Sequence, residues 1–97
     1  MINEIVMNTE TYKLGEELDS FNSQEVQNGI QAILEKGCNA VLDMTDCKYI
    51  SSTGLRVLLF AKKVAASKGL NVCLKGVSAE VKDIMDVTGF NEFFDYA

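Results

Sequence analysis

Residues 49 to 69 read YISSTGLRVLLFAKKVAASKG. Apolar residues recur here at helical spacing behind Ser51, Ser52 and Thr53, and Gly69 closes the run. The pattern predicts a helix from Thr53 to Lys68. A hydroxyl oxygen at a helix start accepts from the unpaired amides of the first turn, so Ser52 or Thr53 serves as the expected cap. A cap does not account for Gly54 inside that turn, where glycine costs about 1 kcal/mol against alanine. Such a glycine is expected where something approaches the backbone closely. Free amides at a helix start also suit a phosphate group, through hydrogen bonds and the helix dipole.

On a helical wheel Val57, Phe60, Ala61 and Val64 form one apolar stripe, sufficient to dock the helix on a sheet. Leu55, Leu58, Leu59 and Ala66 form a second stripe on roughly the other side, and only Arg56, Lys63 and Ser67 make a polar strip. Leu58 and Leu59 either pack under neighbouring helices or belong to a contact surface. Leu55, in the first turn, is the residue expected to face a partner.

Outward from this helix lie two short apolar runs of strand length, AVLDM at 40–44 and NVCL at 71–74. Before the first, Ser23 can cap a helix with Val26, Ile30, Ile33 and Leu34 on one face, Glu25 in its first turn, Lys36 in its last and Gly37 as its stop. After the second, Ser78 caps a helix through about Val87, in which Val81 and Met85 are the core pair and Ile84 lies toward the stripe's edge. Ile2–Met7 and Thr11–Leu14 read as strands about a turn at Asn8 and Thr9, and FFDY at 93–96 as an edge strand. Strands alternating with helices define an α/β fold. The expectation is a single domain over 1–97, with a mixed, mostly parallel sheet of about four to five strands and about three main helices.

Composition narrows the chemistry. With 47% hydrophobic and 24% charged residues the chain has an ordinary globular balance. Nine basic residues against fourteen acidic ones give a net charge of −5 and no basic stripe, which argues against a nucleic-acid partner. The apolar run from Leu55 to Ala66 is interrupted by Arg56, Lys62 and Lys63, so no membrane span is expected. MINEIVMNTE lacks the basic and apolar regions of a signal peptide, and a cytoplasmic protein is the expectation. Cys38, Cys47 and Cys73 are odd in number and widely spaced, suggesting neither disulfides nor zinc. The absence of histidine removes Ser-His-Asp and Cys-His nucleophile activation and histidine phosphotransfer together.

At this point the chain resembles the STAS domains of bacterial anti-sigma factor antagonists. The matching pieces are EELDS at 16–20, VLDMTDCKYISSTGLRVLL at 41–59, LKGVSAEVKDIM at 74–85 and VTGFNEFF at 87–94. The resemblance implies a partner switch without catalytic residues, metal or cofactor. In it the unphosphorylated domain, a monomer when free, binds an anti-sigma factor that is also a Ser/Thr kinase of the histidine-kinase-like ATPase fold, releasing the sigma factor. Phosphorylation ends that binding and a metal-dependent Ser/Thr phosphatase restores it. The family motif Asp-Ser-[Ser/Thr]-Gly-Leu falls on Ser51 to Leu55, which makes Ser52 the implied phosphoacceptor and Ser51, standing where the best-known branch has aspartate, the second choice. Asp19, Ser51, Thr53, Gly54, Leu55, Arg56 and Ile84 are the partner-binding residues expected on this reading. Glu16 stands where the family usually has glycine.

Two other readings compete. One is a STAS module that binds a protein or a small ligand without being phosphorylated. The other is an enzyme using Asp43, Asp46 and Asp19 as acid, base or metal carboxylates, but no glycine-rich phosphate loop or positioned lysine accompanies them. A response-regulator receiver lacks its paired acids in the same way.

Overall fold

The structure is a computed structural model and describes residues 8–97. In chain order it contains β1 (Thr9–Lys13), β2 (Glu17–Leu18), α1 (Ser23–Glu35), β3 (Asn39–Asp43), β4 (Tyr49–Ile50), α2 (Ser52–Ser67), β5 (Val72–Lys75), α3 (Ala79–Thr88), a 3-10 turn (Phe90–Phe93) and β6 (Asp95–Tyr96). The main sheet has the order β1-β3-β5-β6, and every pairing in it is parallel. Parallel neighbours need crossovers, and α1, α2 and α3 supply them. The α/β class, the mostly parallel sheet of four strands and the three helices are as the sequence implies. The expected strand at Ile2–Met7 lies outside the described residues. Thr9, read as a turn residue, is the first residue of β1 and sits opposite Asn39.

Past Lys13 and Asp43 the segments that follow the neighbouring strands β1 and β3 leave the main sheet and pair again as a second parallel ribbon, β2 with β4, with Leu18 opposite Ile50. Lys48 N donates to the Glu16 carbonyl at 2.7 Å and Ser51 N to the Leu18 carbonyl at 2.9 Å. This short ribbon delivers the chain into α1 on one side and α2 on the other. The core gathers beneath it: Leu18, Ile30, Leu42, Leu58, Val72, Leu74, Val81 and Met85 are fully buried. Each of these side chains contributes about 1.5–3 kcal/mol on leaving water.

Val26, Ile30, Ile33 and Leu34 are the buried face of α1, as their spacing requires. The start of that helix differs from the expectation. Ser23 is its first residue, and the capping position falls to Asn22, whose amide is committed elsewhere. Asn22 Oδ1 accepts from Asp19 N at 2.9 Å and Nδ2 donates to the Glu17 carbonyl at 2.7 Å, which ties the loop rather than the helix. Lys36 stands one residue beyond the helix and pairs with Glu10 at 3.2 Å, ahead of Gly37 in the left-handed region at φ 82°. Ser78 caps α3 as expected, accepting from Val81 N at 3.2 Å while donating to the Cys47 carbonyl at 2.9 Å. In FFDY, Phe93 closes the 3-10 turn, Phe94 is buried, and only Asp95–Tyr96 pair with β5.

Candidate functional site

The helix start at Ser51–Leu55 is built by β4. That strand runs straight through Ser51, which is still extended at φ −85° and ψ 171° while its carbonyl already accepts from Leu55 N at 2.9 Å. Ser51 is therefore the cap, its Oγ accepting from Gly54 N at 3.1 Å. This corrects the expectation that Ser52 or Thr53 caps the helix. Serine and aspartate are equivalent N-caps, so a serine in the motif's aspartate position leaves the capping bond intact. Ser52 becomes the first helical residue and its side chain is exposed, with Arg56 one turn further along the same outer face.

Gly54 is where the chain packs closest. A Cβ there would stand 2.7 Å from the Leu18 carbonyl oxygen, 2.8 Å from Leu18 Cγ and 2.9 Å from Ile50 Cγ1. The close approach inferred from this glycine is made by the chain's own β2–β4 ribbon. Gly54 is buried, and so is Leu55, at 3% exposure, which overturns the expectation that Leu55 faces outward. The two apolar stripes of α2 are the flanks of one buried arc. Its centre is Gly54, Leu58, Ala61 and Ala65, small residues for the most part, which let the helix axis sit close to the sheet. Leu55 falls on one flank and Val57 on the other. Phe60, assigned by spacing to the docking stripe, lies outside the arc and is 44% exposed.

Asp19 stands opposite Ser51 across the ribbon, each following one member of the Leu18–Ile50 pair. Its Oδ1 accepts from Phe21 N at 2.9 Å and from Asn22 N at 3.3 Å, so it also stiffens the β2–α1 loop. Asp19, Ser51, Ser52, Thr53 and Arg56 thus meet at one end of the domain, Ser51 and Thr53 half-buried and Arg56 exposed. Ile84 is half-buried on α3, packed against the core, and α3 lies against β4. Sequence reasoning missed Phe21, whose ring is 96% exposed in the same loop as Asp19. The available signal was an aromatic residue set among the turn-forming residues of LDSFNS.

The acids of the competing enzyme reading are already engaged. Asp43 Oδ1 accepts from Thr45 Oγ1 at 2.6 Å and from Thr45 N at 3.0 Å, and these bonds, helped by the nearby Lys13 and Lys75 charges, hold its carboxyl below the usual range. Lys13 bridges Asp46 at 3.2 Å and Asp43 at 3.8 Å, and the hydrogen bond to Asp46 raises the lysine's own pKa. Asp19 belongs to a different loop. Burial pushes the Cys47 thiol up, leaving it a small core residue. Among the described residues no group of acids, cysteines or histidines has the arrangement of a metal site, and no helix is long and apolar enough to cross a membrane.

The parallel α/β layer thus carries a capped helix start from which Ser52 projects exposed. The STAS domain family model matches residues 3–96, and the chain belongs to that family. A Bordetella bronchiseptica protein, BtrV, described as a candidate anti-sigma factor antagonist, is 33% identical over 82 residues, 82% of this chain and 70% of that protein. The anti-sigma-B factor antagonist of Bacillus subtilis is 24% identical over 79 residues, 81% of this chain and 72% of its own. A crystal structure of a candidate anti-sigma factor antagonist from Thermotoga maritima superposes with a TM-score of 0.83 at 22% identity, over 96% of this chain and 81% of that one, a likeness of fold. By these relatives the chain falls with the anti-sigma factor antagonists.

Proposed function

We propose that this chain is a cytoplasmic anti-sigma factor antagonist that acts by partner switching, with Ser52 as its switch. Unphosphorylated, and a monomer when free, it binds an anti-sigma factor that is also a Ser/Thr kinase of the histidine-kinase-like ATPase fold, and so releases the sigma factor. The kinase transfers the γ-phosphoryl of ATP to Ser52 Oγ: the bond from the γ-phosphorus to its bridging oxygen breaks, ADP leaves, and the hydroxyl proton passes to a base on the kinase. A metal-dependent phosphatase hydrolyses the ester and restores the binding form. The partner-binding set is Asp19, Ser51, Thr53, Arg56 and the exposed part of Ile84, with Gly54 and Leu55 holding the helix start beneath it.

The observation that carries the reading is the division of labour between adjacent serines. Ser51 uses its hydroxyl as the cap, and Ser52 leaves its own exposed on the first turn. Phosphoserine brings about −1.5 to −2 charges. Glu17 and Asp19 already place negative charge at this end of the domain. A partner shaped for the neutral hydroxyl and bringing no counter-ion of its own would have to bury that added charge, at a cost of several kcal/mol. A loss of about 3–4 kcal/mol is a factor of roughly hundreds to a thousand in affinity. The test is intact mass after incubation with ATP and the kinase-fold anti-sigma factor encoded nearest this gene. Wild type gains one phosphate and Ser52→Ala gains none. Ser51→Ala, which loses about 1 kcal/mol of capping, is still modified. Phosphate mapping to Ser51 alone overturns the assignment.

A further inference from the structure

Phe21 presents 96% of its surface, the most exposed of the large apolar side chains described, and nothing in the fold uses it. Its exposure is built rather than accidental. The Asp19 carboxylate accepts from Phe21 N and Asn22 N, Asn22 Oδ1 accepts from Asp19 N, and Asn22 Nδ2 is held by the Glu17 carbonyl. Four hydrogen bonds therefore fix the backbone that holds the ring in solvent.

The loop is next to the phosphoacceptor. Asp19 and Ser51 face each other at the ribbon's end, where neighbouring strands lie about 5 Å apart. Phe21 N is 2.9 Å from the Asp19 carboxylate. Adding the length of the Asp19 side chain places the Phe21 backbone within about 11 Å of Ser51. A standard protein interface buries about 800 Å² on each partner, a patch of roughly 16 Å radius. A patch of that size centred on Ser52 is wide enough to include Phe21. In the same segment Glu16, Glu17 and Ser20 are exposed and Asp19 half-buried, so the chain that carries the ring is acidic and polar.

We propose that Phe21 is an apolar anchor for the same kinase-fold anti-sigma factor that docks over Ser52, entering an apolar pocket rimmed by Lys or Arg. This rests on the partner-switching reading and adds to it a contact that phosphorylation does not touch. Ser52 then decides whether binding occurs and Phe21 helps decide with which partner, because an exposed ring is matched only by a surface with a cavity of its shape.

The experiment is calorimetric titration of wild type, Phe21→Ala, Phe21→Leu and Ser52→Asp with the kinase-fold anti-sigma factor encoded nearest this gene, alongside thermal melting, sedimentation and phosphorylation kinetics. Phe21→Ala is expected to weaken binding about 10- to 100-fold, the range of an interface anchor. It should leave the melting temperature unchanged and raise KM for phosphorylation at constant kcat, and Phe21→Leu should recover part of the affinity. Unchanged affinity of Phe21→Ala beside a weakened Ser52→Asp overturns the anchor and leaves the switch standing. Failure of wild type to bind overturns both. A wild-type dimer that Phe21→Ala dissociates, with kinase affinity unchanged, assigns the ring to a second copy of this chain and overturns the proposal.

Discussion

Gly54→Ala separates two opposed effects of known size. Alanine in a helix is favoured over glycine by about 1 kcal/mol, so propensity alone predicts stabilisation. In this fold the new methyl carbon would lie 2.7 Å from a backbone oxygen and 2.8 and 2.9 Å from the Leu18 and Ile50 side chains. The oxygen belongs to the carbonyl that accepts from Ser51 N at 2.9 Å, so it cannot retreat without stretching the bond that holds β2 to β4. Forcing an extra methyl into a packed site costs about 1–3 kcal/mol, and a weakened buried hydrogen bond adds about 1 kcal/mol. Set against the propensity gain, the net loss is about 1–3 kcal/mol. For a domain of this size that lowers the melting temperature by roughly 4 to 20 °C. Circular dichroism with heat and with urea measures it. A rise of several degrees would refute the close packing of the helix start on the ribbon. Gly29→Ala is the comparison: its methyl would meet the ring of Tyr12, which can turn aside, so the loss is smaller.

Leu55→Ala, a core truncation in this fold, should cost about 2–5 kcal/mol; a melting temperature within a degree or two of wild type would return Leu55 to the surface. Asp43 gives a signed pH effect. Its folded pKa is lowered from the ordinary 3.8, so between the two values the unfolded chain binds more protons and stability rises with pH. That contribution is complete above the unfolded value and is lost as pH falls through the folded one. Asp43→Asn should flatten this part of the acid limb in urea titrations from pH 5 downward, and an unchanged acid limb would refute the Thr45 bonds as its cause.

The sequence carried the α/β alternation because each helix has one apolar face of regular spacing and a glycine stop. Val81 and Met85 are buried as their spacing requires, and Ile84 is half-buried at the stripe's edge. Where spacing failed, a neighbour in space had decided. Leu55 and Phe60 exchanged the places assigned to them because the centre of the buried arc is set by small residues, to which a count of large apolar side chains is blind. The cap moved to Ser51 because β4 ends there, and no local feature separates three consecutive hydroxyls. Of the candidate site, Ser52 was singled out by its motif, and its side chain is exposed. Phe21 was not singled out, because its prominence comes from a loop held by hydrogen bonds between Glu17, Asp19 and Asn22.

The amide of Ser51 is paired with another strand, that of Gly54 with a side chain, and that of Leu55 with its own helix. With Gly54 wedged against Leu18, this turn has no hinge on which to open by itself. The amide hydrogens of Ser51, Gly54 and Leu55 should exchange with deuterium only at the pace set by unfolding of the domain. The kinase proposed to act on Ser52 would then have to accept a folded corner rather than draw the segment out as an extended strand. A synthetic peptide with the letters of residues 47–60 would be a poor substitute, since the spelling survives excision and the shape does not.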